Sequence, residues 1–70
     1  MSVKFIGNSI LARRKALKIT QPRLAEMAEI SVNSLYKIER GEANPTFELL
    51  EKIVEVLGME LKLDVKKIKL

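Results

Sequence analysis

The sequence contains no cysteine and no histidine among its 70 residues. Disulfides are therefore excluded and the usual zinc sites nearly so. The chain also has no glycine-rich phosphate loop and suggests no buried pair of carboxylates, and a domain this small has little room for a sheltered active site. An enzyme is not expected, and neither are a cofactor, a metal or a small-molecule substrate. No apolar run approaches the roughly 18 residues that span a bilayer, so no membrane segment is expected. The N-terminal stretch MSVKFIGNSILARRK lacks the order of a signal peptide, in which charge precedes the apolar run. These absences predict a soluble cytoplasmic protein. A chain of this length buries only about 60% of its unfolded surface. With staples excluded, tight helix packing or a partner chain must supply its stability.

What is present is basic and well punctuated. The net charge is +4. Residues 1–41 hold eight Lys or Arg against three Glu, while residues 42–70 hold five against six acidic residues. Positive charge gathered in one part of a chain suits a face that meets a polyanion. Ile6, Ile10 and Leu17 recur at helical spacing and predict a first helix over about 6–17. Thr20 offers an N-cap to a second helix, where Pro22 is tolerated in the first turn and Leu24, Ala25, Met27 and Ala28 supply the buried side. Ser31 caps a third helix, about Val32 to Arg40, that stops at Gly41. The connection EIS is so short that helices two and three must cross steeply, which is a helix-turn-helix arrangement. Thr46 caps a fourth helix with the stripe Leu49, Leu50, Ile53, Val54 and Leu57, ended by Gly58.

The period then changes. Met59, Leu61, Leu63 and Val65 alternate with charged residues, which predicts a strand. A lone strand cannot satisfy its own backbone. Two partners are open to it: the N-terminal segment SVKFI, or the same strand of a second copy. The second is preferred, because an open alternating edge invites pairing and a small helical domain profits from a partner.

Several features occur together in order: Thr20-Gln21, Leu24-Ala25, Ile30-Ser31, Ile38-Glu39-Arg40-Gly41 and Pro45-Thr46. Over about residues 6–58 the chain resembles the phage-repressor-like, or Xre, helix-turn-helix family. The resemblance implies an all-α, four- to five-helix repressor-like DNA-binding domain over 1–58. The strand and tail over 59–70 would be a dimerisation element, with Met59, Leu61, Leu63 and Val65 pairing across a dimer. It implies that helix three enters the major groove of double-stranded DNA. Val32, Asn33, Tyr36 and Lys37 would then read bases. Asn pairs with adenine, Lys donates to guanine, and Val meets a thymine methyl. Thr20, Gln21, Arg23, Ser34, Arg40 and Asn44 would touch phosphate. Arg14 and Glu39 fall where the family joins helix one to helix three by an ion pair. If exposed, such a pair is worth about a kcal/mol or less.

The departures are Lys18 and Glu29, which stand where the family usually has glycine. The tail MELKLDVKK is similar to the end of HipB-type antitoxins, whose strands pair across a homodimer. The expected function is a sequence-specific repressor binding a palindromic operator as a homodimer. The alternative is an antitoxin that neutralises a toxin protein and regulates its own operon.

Overall fold

The computed structural model describes residues 2–63. It contains four helices: α1 (Val3–Ala16), α2 (Gln21–Met27), α3 (Val32–Glu39) and α4 (Phe47–Val56). Local chemistry accounts for every helix end. Each helix starts behind a hydroxyl residue whose oxygen accepts the backbone N–H three residues on. Ser2 takes that of Phe5 (3.0 Å), Thr20 that of Arg23 (3.2 Å), Ser31 that of Ser34 (3.0 Å) and Thr46 that of Leu49 (3.1 Å). These bonds satisfy amides that have no partner within a helix.

Each helix also stops in one way. The chain turns left-handed just past the last helical residue, and the next amide reaches back to a carbonyl of the final turn. Ile19 donates to Arg14 (3.1 Å), Ile30 to Ala25 (2.9 Å), Glu42 to Lys37 (2.9 Å) and Met59 to Val54 (2.8 Å). Two of the left-handed residues are glycines, Gly41 and Gly58. The other two are Lys18 (φ 57°) and Glu29 (φ 60°), which carry the steric penalty of a Cβ in that region. Glu29→Gly is therefore expected to raise stability by about 0.5–1 kcal/mol, seen as a higher urea midpoint with an unchanged slope. An unchanged or lower midpoint would show that the turn between α2 and α3 carries no strain.

Ile10, Leu24, Leu35, Ile53 and Leu57 form the centre of the core, each almost completely buried. α3 packs against α1 and α2, and α2 also packs against α4. Arg13 of α1 donates from Nε to the Leu57 carbonyl at 2.9 Å, tying α1 to the end of α4.

The structure corrects several expectations. α1 begins at Val3, so SVKFI is the first turns of a helix and is not available as a strand partner. Ser2 explains the early start, because it supplies the cap. Leu17 and Met27 are 41% and 44% exposed, outside the core, because each falls at the end of its helix. Among the described residues there is no strand. Met59 and Leu61 pack against the core while Leu63 is 96% exposed. The segment turns Met59 and Leu61 onto apolar surface, and among the described residues no strand is present to pair with it. Val65 lies outside the described residues. No helix among the described residues is long and apolar enough to cross a membrane.

Candidate nucleic-acid interface

α3 is eight residues long and divides cleanly. Leu35, Ile38 and Glu39 face inward, at 0%, 3% and 3% exposure. Val32, Asn33, Tyr36, Lys37 and Arg40 are all exposed. The periodicity of a helix makes this division, since residues three and four apart share a face.

Beside the apolar contacts of Leu35 and Ile38, a polar network seats the helix. The Glu39 carboxylate, buried behind α3, accepts from Arg14 Nε (2.7 Å) and Nη2 (3.1 Å) and from Gln21 Nε2 (2.8 Å). Arg14 Nη1 donates to the Ile19 carbonyl at 2.9 Å. One carboxylate thus joins the end of α1, the start of α2 and the last turn of α3. No buried side-chain polar atom among the described residues is left without a partner. Ala25, 1% exposed, lies in the core on α2, the helix that packs on α3.

A second seat is steric. A Cβ on Gly7 would lie 2.2 Å from the Ile38 carbonyl oxygen and 3.1 Å from that of Glu39. α1 therefore rests directly on the backbone of the last turn of α3. Gly41 is close as well, its absent Cβ falling 2.8 Å from the Lys4 Cα, and its φ is +71°.

Around α3 the remaining candidates are placed as follows. Thr20 Oγ1 accepts an amide as N-cap, which leaves its own proton free to donate. Gln21 is half-buried and commits one amide N–H to Glu39, leaving the other. Ser34 Oγ accepts from the Ser31 hydroxyl at 2.9 Å. Asn44 is exposed in the loop before α4. Arg23 donates from Nη1 to Glu26 at 2.6 Å, in an exposed i,i+3 pair. Arg40 donates from Nε to Glu42 at 3.2 Å, and its guanidinium carbon lies 5.3 Å from the centre of the Tyr36 ring. The hydrogen bond and charge of Glu42, with a smaller contribution from Tyr36, raise the affinity of Arg40 for its proton above the ordinary value.

Gly7, Arg13 and Glu42 were not singled out from sequence. Gly7 carried a usable signal, since a glycine inside a helix is disfavoured unless something approaches closely. Arg13 and Glu42 carried none, because an exposed charged residue near a helix end reads as solvated surface.

The chain's similarities to known proteins agree on a helix-turn-helix. A family model described as helix-turn-helix matches residues 10–63. The chain is 41% identical over 56 residues to the immunity repressor protein of Bacillus phage phi105, covering 80% of this chain and 39% of the repressor. It is 42% identical over 56 residues to the cryptic phage CTXphi transcriptional repressor RstR of Vibrio cholerae, covering 80% of this chain and 50% of RstR. It thus spans half or less of the length of these two repressors. Among solved structures, the clp gene regulator ClgR from Corynebacterium glutamicum aligns with a TM-score of 0.79 and 28% identity, over 81% of this chain and 61% of ClgR.

Proposed function

Because the chain belongs to the Xre-type helix-turn-helix family, we propose that it is a sequence-specific DNA-binding transcriptional regulator, most simply a repressor. The observation that carries this reading is the division of α3. A full row of varied side chains is exposed on a helix whose reverse face is buried and whose last turn is held by the Glu39 network and by Gly7. In the proposed complex α3 lies in the major groove, which is wide enough to admit a helix. Asn33 pairs with adenine, Lys37 donates to guanine O6 or N7, Val32 meets a thymine methyl, and Tyr36 reaches base or backbone through its hydroxyl. Thr20, Gln21, Arg23, Ser34 and Asn44 fix the register on the sugar-phosphate backbone.

The regulator acts as a homodimer on a palindromic operator, with one α3 per half-site and half-sites about 10 bp apart or a multiple of that. Support for a second copy comes from the apolar surface beside the tail. Phe5 and Phe47 are 61% and 59% exposed. Phe47, Ile6, Leu50, Leu61 and Leu63 line a groove of about 470 Å³. Leu61 and Leu63 line this groove and so serve assembly, and the antitoxin alternative, which rests on the small size and the HipB-like tail, is separated from the repressor reading by whether a toxin protein co-purifies. Sedimentation of the free protein tests the assembly. A monomer at operator-saturating concentration, with half-sites filling independently, would overturn it.

Lys37→Ala is expected to weaken operator binding by about 1–3 kcal/mol and to relax preference at one base pair. Gel shifts with a set of single-base operator variants measure both. A uniform loss across all sequences would make Lys37 a phosphate contact instead. Binding that did not weaken as salt rises would sink DNA binding altogether, because neutralised phosphates must release counterions.

A further inference from the structure

We propose that Arg40 is a positioning residue for Tyr36, clamped from behind by Glu42, and that this three-residue chain sets which base edge Tyr36 reads. The sequence alone places Arg40 among the phosphate contacts. Its partners in the structure give it a further role. Arg40 Nε is spent on Glu42 at 3.2 Å, and the guanidinium lies over the Tyr36 ring at 5.3 Å. This inference rests on the proposed DNA reading and adds to it a determinant of specificity.

The geometry follows from the helix. Side chains lean toward the helix N-terminus, so the residue at i+4 reaches back over the one at i. Arg40 therefore falls on Tyr36. An aromatic side chain on a helix has two χ1 wells open to it, and the hydroxyl at its far end stands in a different place in each. Tyr36 is 44% exposed, so packing alone does not choose between them. A cation over one ring face does choose, provided it is itself held in place. Glu42 holds it, and it is placed to do so by the left-handed turn at Gly41, whose φ is +71°. Lysine could not replace Arg40 in this role. An ammonium has no planar face to lay on the ring while bonding a carboxylate at its edge.

The test uses the full chain and a random pool of duplex oligonucleotides. Tyr36→Ala should lose preference at one operator position. Arg40→Lys and Glu42→Gln should each relax that same position, by roughly two- to fivefold. The double variant Tyr36→Ala with Glu42→Gln should relax it no further than Tyr36→Ala alone. The discrimination ratio is the quantity to read, because the gain in overall DNA affinity from removing a negative charge cancels in it. In the free protein, the Arg40 δ-methylene protons should be shifted upfield by the ring current and should return toward ordinary positions in Glu42→Gln.

If Arg40→Lys and Glu42→Gln keep the wild-type preference while Arg40→Ala weakens every sequence equally, Arg40 is a phosphate contact and the proposal fails. It fails too if Tyr36→Ala relaxes no position, or if the upfield shift is absent. A wild-type protein that recovers no consensus from the pool removes the DNA reading itself, and this inference with it.

Discussion

Glu39→Ala is expected to leave most of the protein unfolded at 37 °C. The carboxylate it removes is 3% exposed and accepts three hydrogen bonds, two from Arg14 and one from Gln21. Without it the Arg14 side chain, 11% exposed, keeps only the Ile19 carbonyl as a partner. Breaking a buried pair from one side strands a charge in the interior and destabilises by about 3–5 kcal/mol. A single small core rarely supplies more than roughly 3–5 kcal/mol in total. The loss therefore matches the whole stability, and a urea titration followed by circular dichroism would measure it. Loss of less than about 1 kcal/mol would show that water reaches Arg14 and that the pair behaves as a surface one. The double variant Arg14→Met with Glu39→Leu separates charge from packing. Replacing a buried ion pair by apolar residues is often neutral or stabilising, so most of the stability should return. DNA affinity should return only in part, because Gln21 has lost the partner that fixes its position beside α3.

Gly7→Ala should also be strongly destabilising, although it introduces a better helix former. Alanine in a helix is favoured over glycine by about 1 kcal/mol. Against this, its Cβ would sit 2.2 Å from the Ile38 carbonyl oxygen. That oxygen belongs to the backbone of α3 and cannot rotate aside, so α1 and α3 must separate. Overpacking of this kind costs typically 1–3 kcal/mol and occasionally more. With a contact this short the upper end of that range applies, so the net loss is about 2 kcal/mol, together with weaker operator binding by the molecules that remain folded, since α3 is no longer seated at its old angle. Asn8→Ala, at the exposed neighbouring position, is the control and should be neutral or slightly stabilising. Equal effects at the two positions would mean that α1 and α3 are not in contact at Gly7.

These two positions show the limit of reading the chain alone. The helix-turn-helix, the caps Thr20, Ser31 and Thr46, the stops at Gly41 and Gly58 and the exposed row on α3 were all legible. Each depends on residues within four or five positions of one another. A hydroxyl either finds the amide three residues on or it does not, and an apolar stripe either has helical spacing or lacks it. The same locality was not enough at the tail. Period-two alternation over Met59–Leu63 reads as a strand, yet a strand exists only if another backbone is there to pair with it. The N-terminal candidate had already been taken up by α1 under the cap of Ser2.

By itself, then, the sequence determined the four helices, the ends of α2, α3 and α4 and the residues that α3 turns outward, because backbone capping and helical periodicity act over short range. Tertiary structure decided how α3 is held. It buried Glu39 among Arg14 and Gln21 and brought Gly7 onto the Ile38 carbonyl. The physical reason is that burial and approach distance belong to pairs of residues far apart in the chain or across a turn, and they set whether an ion pair is worth a fraction of a kcal/mol in water or several in the interior.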